Sequence, residues 1–301
     1  LFTQQIRFTF EPIKDWRIYM EGSMRVANNK TTENTIPIYH YYVDGTAFLR
    51  DSGYGTETYV YDNRYRQNYY TVNVYSDYSK SFGKHNGKIM VGMNYERYDQ
   101  DNLWGSGTNL TTEEKPYLSQ AQSNKKNGDS YWNRATAGYF GRFNYDYDER
   151  YLFEFNLRYD GSSRFVGDKR WAWFPSMSLG WNIARESFFE KLSDKISMLK
   201  LRASWGQLGN QIGNTSSDYN SFTDWYPFYQ QQSISSSSGS WLIDGEKQNT
   251  ASIPDIVSSL LTWETIETWD IGVDWAAFNN RLTGSFDWFC RKTKDMIGPA
   301  P

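Results

Sequence analysis

From Leu152 to Asp160 the chain alternates large apolar side chains with charged or amide ones. Phe153, Phe155, Leu157 and Tyr159 fall on one face, and Glu154, Asn156, Arg158 and Asp160 on the other. A repeat of two is the period of a β-strand, whose successive side chains point to opposite faces. The segment therefore reads as a strand between an oily and a wet environment. A soluble sandwich turns the oily face inward, whereas a membrane barrel turns it outward. The local pattern is the same in both.

The alternation recurs along the chain and predicts about ten strands, many as long as a tilted strand needs to cross a bilayer. Ile6, Phe8 and Phe10 oppose Gln5, Arg7 and Thr9. Met177, Leu179, Trp181 and Ile183 oppose Ser176, Ser178 and Asn182, and Trp269, Ile271, Val273 and Trp275 oppose Asp270, Gly272 and Asp274. The predicted connections alternate in length. Short ones fall at 11–14, 84–87, 147–149 and 277–280, and long, polar ones at 28–65, 99–131 and 209–261. Asn86-Gly87 and Asn279-Asn280 suit two-residue hairpin turns, because these residues tolerate positive φ. In an up-and-down meander, alternate connections lie at opposite ends, so the short turns gather at one end and the bulk at the other. Outer-membrane barrels are built this way. Two connections depart from the rule. Residues 161–170 make a short outer loop, and 184–198 read as a helix with a Ser187/Glu190 capping box and Phe188, Leu192 and Ile196 on one face.

Composition narrows the function classes. The net charge of -3 gives no basic footprint for nucleic acid. Aromatic residues make up 18% of the chain, with 24 Tyr and 13 Trp, yet its mean hydropathy is -0.76. Aromatic girdles, sugar-binding surfaces or both account for the first value, and polar loops with a polar-lined interior for the second. Cys290 is the single cysteine, so no internal disulfide forms, and it falls on the apolar register of its strand. His40 and His85 belong to no metal-ligand pattern. No apolar run reaches the length of a membrane helix. The opening at Leu1 shows no signal peptide, which points to a cytosolic protein or to a piece of a longer one.

Motifs for chemistry are sparse: no phosphate-cradling glycine loop, no G-x-S-x-G and no H-E-x-x-H. No cofactor, catalytic residue or metal site is expected, and the chain does not read as an enzyme. Asp146, Asp148 and Glu149 suit a tight turn better than a carboxylate pair. Asp99, Asp101 and Asn102 faintly resemble a calcium loop, but a solvated loop explains them better. Trp225, Tyr226, Phe228, Tyr229 and Trp241 cluster in one long connection. They either stack on a sugar, a peptide or a partner, or pack the loop against its neighbours.

RYDGSSRFVGDKRWAWFPSMSLGWNIARESFF, Arg158 to Phe189, and LTWETIETWDIGVDWAAFNNRLTGSFDWFCRKTKDMI, Leu261 to Ile297, closely resemble the SusC/RagA type of TonB-dependent outer-membrane receptor. KLRASWGQLGNQIGN and FEPIKDWRIYMEG fit the same family, and the likeness is weakest at 28–65, 99–131 and 209–261. The resemblance implies an all-β, antiparallel up-and-down transmembrane barrel of about 22 strands, plugged by an N-terminal domain. It implies energy-coupled import of glycans or peptides across the outer membrane of a Gram-negative bacterium. It further implies a SusD-like surface lipoprotein as lid and a TonB complex acting through an N-terminal part. On this reading residues 1–301 are a slice of the barrel domain that lacks the signal, the plug and the last strands, with one short periplasmic helix and outer-membrane lipid around it. A soluble glycan-binding β module and a passive pore are the alternatives.

Overall fold

A computed structural model describes residues 1–50, 57–192, 194–211, 226–230, 232–235, 238–254 and 261–296. The strands are β1 (Phe2–Ile13), β2 (Trp16–Thr35), β3 (Ile38–Tyr41), β4 (Ala47–Arg50), β5 (Tyr59–Phe82), β6 (His85–Leu110), β7 (Ala121–Tyr147) and β8 (Tyr151–Ser162). They continue with β9 (Trp171–Asn182), β10 (Ile196–Asn210), β11 (Ile234–Ser235), β12 (Leu242–Ile243), β13 (Glu246–Lys247), β14 (Thr250–Ala251), β15 (Glu264–Ala277) and β16 (Leu282–Lys294). Ten of them form one sheet in the order β1-β2-β5-β6-β7-β8-β9-β10-β15-β16, so each long strand lies beside its neighbour in sequence. The sheet does not close on itself. The six remaining strands are small hairpins within the long connections.

Cross-strand register sorts the two faces. Tyr145, Phe153, Leu179, Ala203, Ile271 and Trp288 stand opposite one another across six strands. On the other face the adjacent row is Asn144, Glu154, Ser178, Ser204 and Asp270. Ile271 and Trp288 are each 58% exposed, and Phe8, Phe143, Met177 and Trp269 are exposed as well. A soluble sandwich would bury this face against a second sheet. Here the oily face is left exposed and the polar face carries the ion pairs, the division of a membrane barrel wall. Cys290 lies on the oily face opposite Trp269 and is exposed.

The connections differ from expectation at several places. Strands β2, β5, β6 and β7 are 20, 24, 26 and 27 residues long. The connections predicted at 28–65 and 99–131 therefore shrink to 36–58 and 111–120. Stretches such as Asn28-Asn29-Lys30 and Lys125-Lys126-Asn127 lie within strands although they are polar on both faces. Outside a bilayer a strand needs its backbone ladder but no oily face, so the alternation fades before the strand ends. Asp99, Asp101 and Asn102 consequently sit in β6 rather than in a loop. The turn expected at Asn86-Gly87 is made by Gly83-Lys84, with Gly83 at φ 58°, the first-position glycine of a type II′ turn. Asn279 and Asn280 belong to a four-residue turn, 278–281, in which Phe278, Asn279 and Asn280 all have positive φ.

The helix expected at 184–198 is two short 3-10 helices, Ile183–Arg185 and Ser187–Leu192, of one and two turns. With three residues per turn, the four-residue spacing of Phe188 and Leu192 no longer sets a face. Both are exposed, Phe189 is the buried residue, and Ile196 already opens β10.

Two compact units are present. One comprises Leu1–Ile6, Gly22–Thr71 and Arg97–Asn133. Val60 and Ala121 are its fully buried apolar residues among those described, and Thr32 donates to Asp62 at 2.8 Å. The other comprises Arg7–Glu21, Val72–Glu96 and Arg134–Pro301 and holds the buried cluster Phe165, Phe174 and Trp263.

Candidate functional site

The polar face of the second unit is laced by ion pairs. Asp77 is 2% exposed and lies between Arg17 at 3.1 Å and Lys88 at 2.9 Å. Arg202 bridges Asp274 at 2.8 Å and Asp287 at 2.9 Å, tying β10 to β15 and β16. Residues from seven strands line a cavity of about 540 Å³, with Lys88, Asn144, Glu154, Ser178, Lys200 and Asp270 among them. Such a surface suits an aqueous lumen and its contents better than lipid.

The connection between β10 and β15 contains the aromatic cluster singled out in the sequence. Tyr226, Phe228 and Tyr229 meet, with ring centroids 6.4, 6.1 and 4.6 Å apart for the pairs Tyr226–Phe228, Tyr226–Tyr229 and Phe228–Tyr229. Trp241 is not in this group. It lies just before β12 and is exposed. Trp225 falls outside the described residues, as do Asp224 and Gln231. Around Trp241 the chain forms nested hairpins, β11 with β14 and β12 with β13, turning at Asp244-Gly245 with φ of 53° and 83°. Trp241, Leu242 and Ile243 project from this arm into solvent.

A second aromatic hairpin was missed in the sequence. β3 and β4 carry His40 and Phe48 as paired residues with rings 5.5 Å apart, and the Tyr42 ring packs against Phe48, tilted, at 4.5 Å. Tyr39, Tyr41 and Tyr42 are exposed. The alternation Ile38-Tyr39-His40-Tyr41-Tyr42 and the Asp44-Gly45 turn are the signals that could have found it.

The short-turn end carries a clasp instead. Asp148 accepts from Lys84 at 2.9 Å and from Arg150 at 2.6 Å, and Arg150 reaches Glu186 at 3.2 Å. Glu186 also accepts from the Tyr151 hydroxyl at 2.7 Å and the Trp181 indole at 3.1 Å. Hydrogen bonds from Tyr151 and Trp181 hold the Glu186 carboxyl below its ordinary value. Lys84 and Arg150 do the same for Asp148. Glu149 pairs with Arg185. The acidic turn therefore joins three successive connections and is structural. Asp99 is likewise engaged, by Arg97 at 3.0 Å and the Tyr131 hydroxyl at 2.9 Å. No group of three or more candidate metal ligands exists among the described residues.

Comparison with known proteins places this architecture. The family model of the TonB dependent receptor-like β-barrel matches residues 2–301. The chain is 33% identical over 259 residues to TonB-dependent receptor P3 of Formosa agariphila, covering 85% of this chain and 24% of that one. It is 33% identical over 262 residues to the TonB-dependent receptor SusC of Bacteroides thetaiotaomicron, with the same shares. The chain thus spans about a quarter of the length of these curated relatives. The solved RagAB peptide transporter superposes with a TM-score of 0.81 at 24% identity, over 99% of this chain and 31% of that one, a likeness of fold. A sheet with an oily outer face and a polar inner one, matched by that model along its length, leaves one assignment: the chain belongs to the TonB-dependent receptor β-barrel family.

Proposed function

We propose that residues 1–301 form part of the barrel wall of an outer-membrane importer of oligosaccharides or peptides. The observation that carries this reading is the pairing of two opposed faces with two unlike ends. Lipid takes the face of Phe155, Leu179 and Ile271, and the lumen takes that of Glu154, Arg158 and Arg202. The short turns face the periplasm, and the connections 36–58, 111–120 and 211–263 face the cell exterior. Tyr226, Phe228, Tyr229 and Trp241, with Trp225 beside them in sequence, are the proposed contacts for ligand or for a SusD-like lipoprotein lid. The relatives' names support the class of activity: SusC is a TonB-dependent receptor, and the solved neighbour is a peptide transporter. A TonB complex is the proposed source of the energy for import.

The test uses the full-length receptor in a strain lacking its own copy. Labelled dextrins and labelled oligopeptides are supplied, and accumulation is followed before and after the inner-membrane proton gradient is collapsed. Accumulation that depends on both receptor and gradient is expected. Entry that survives collapse of the gradient identifies a passive pore and overturns the proposal, as does the absence of receptor-dependent entry of either probe.

A further inference from the structure

On the oily face, three adjacent strands carry large aromatics in two rows. Tyr139 of β7 stands opposite Tyr159 of β8, which stands opposite Trp173 of β9. Tyr147, Tyr151 and Trp181 form the second row in the same way, eight residues further along each strand. The pairs between the rows on β8 and β9 are apolar: Leu157 with Pro175, Phe155 with Met177 and Phe153 with Leu179. Eight residues of a strand tilted by roughly 35–45° rise by about 20 Å, close to the height of the apolar band on a membrane barrel. The two rows therefore stand where hydrocarbon gives way to headgroups on either side of a bilayer.

The rows use their polar tips differently. At the short-turn end the Tyr151 hydroxyl and the Trp181 indole donate to Glu186, at 2.7 and 3.1 Å. At the other end the rings stack on one another. Trp171 lies over Gly161, where a Cβ would meet its ring at 2.6 Å. Its centroid is 5.0 Å from that of Tyr159 and 6.1 Å from that of Tyr139. Trp173 stacks on Tyr159 as well, at 4.3 Å. The stack fixes the four rings, yet the hydroxyls of Tyr139 and Tyr159 and the indoles of Trp171 and Trp173 have no hydrogen-bond partner among the described residues. Tyr139 and Trp173 are 56% and 58% exposed. Lipid tails do not account for this arrangement, because hydrocarbon accepts no hydrogen bond and an open donor within it is costly. Rings with an apolar body and a polar tip suit the level where tails end and acceptors begin.

We propose that Tyr139, Tyr159, Trp171 and Trp173 form a docking surface for lipid headgroups of the outer leaflet, whose phosphate and sugar oxygens accept from the four open tips. The row of Tyr147, Tyr151 and Trp181 marks the opposite boundary and is closed on the protein through Glu186. This rests on the membrane-wall reading of the oily face and is independent of what is imported.

The test uses the full-length receptor with Cys290→Ser, reconstituted in phospholipid vesicles. Nitroxide labels are placed singly on β9 at Trp173→Cys, Met177→Cys and Trp181→Cys. Their collisions with oxygen, which concentrates in hydrocarbon, are compared with those of a water-soluble nickel chelate. The Met177 label is expected to meet mostly oxygen, and the other two to fall where the balance shifts toward nickel. Where Trp173→Cys does not assemble, Tyr139→Cys reads the same row. In parallel, Trp173→p-benzoylphenylalanine, which keeps an aromatic side chain at the stack, is photoactivated in vesicles of radiolabelled phospholipid. Labelled lipid is expected to become attached to the receptor. A Met177 label open to nickel overturns the membrane-wall reading itself. A Met177 label in hydrocarbon, with the Trp173 label either as deep or wholly in water, overturns the headgroup site alone. Attachment of Trp173→p-benzoylphenylalanine to protein instead of lipid assigns the surface to a partner chain and overturns the site as well.

Discussion

At the scale of single residues, the wall asks opposite things of neighbours in sequence. Phe155 sits in the oily row with Phe143 and Met177, and Asn156 beside it donates to Glu154 at 2.8 Å on the polar face. Arg at Phe155 places a charge in lipid and should destabilise the assembled receptor by about 2–4 kcal/mol if the site is near the bilayer midplane. Leu at Asn156 loses hydrogen bonds on a face that water reaches and should cost less. Unfolding of the two full-length variants in lipid vesicles, followed by the gel shift of folded barrels, measures the difference. Equal costs would mean that the assigned faces are wrong. The faces were legible because each strand repeats them. The burial of Trp263 was not, because its ring partners Phe165 and Phe174 lie about 90 residues away in sequence.

At the scale of elements, the number and order of the long strands could be read from the sequence, but their ends could not. A strand announces itself by an oily face, and beyond the bilayer that face is no longer required. The extensions of β5, β6 and β7 and the hairpin β3–β4 therefore looked like loop. The connection at the other end was read as a helix because apolar residues happened to recur every four positions, whereas its 3-10 turns leave Phe188 exposed and place Glu186 in the clasp. Glu186 and Asp148 titrate below their ordinary values of 4.5 and 3.8 in the folded receptor. Groups with depressed folded values stabilise fully above the ordinary value, and that stability is lost as pH falls through the folded one. The clasp should therefore hold at neutral pH and loosen as pH drops from about 4.5 downward. Urea unfolding of the full-length receptor between pH 7 and pH 3 should show a midpoint that falls across this window. Glu186→Gln should be less stable at pH 7 and less sensitive to acid. A variant with the wild-type pH dependence would exclude Glu186 from the clasp.

At the scale of the whole sheet, the strand order itself carries a prediction. β1 and β16 each pair on one side only, with β2 and β15 respectively. Both are oily edges: Ile6, Phe8 and Phe10 are exposed on β1, and Phe286, Trp288 and Phe289 on β16. Natural edge strands are kept from pairing with other chains by brevity, by inward charges or by coverage. These two are 12 and 13 residues long, and each offers an unfilled row of backbone donors and acceptors in an apolar setting, where such groups are costly. In a closed barrel further strands satisfy them. Residues 1–301 refolded alone into detergent should therefore associate through these edges, and light scattering coupled to size exclusion should report oligomers whose size grows with concentration. The full-length receptor under the same conditions should remain a single barrel. A monodisperse monomer of residues 1–301 would mean that the edges find each other within one chain, which the ten-stranded order does not contain.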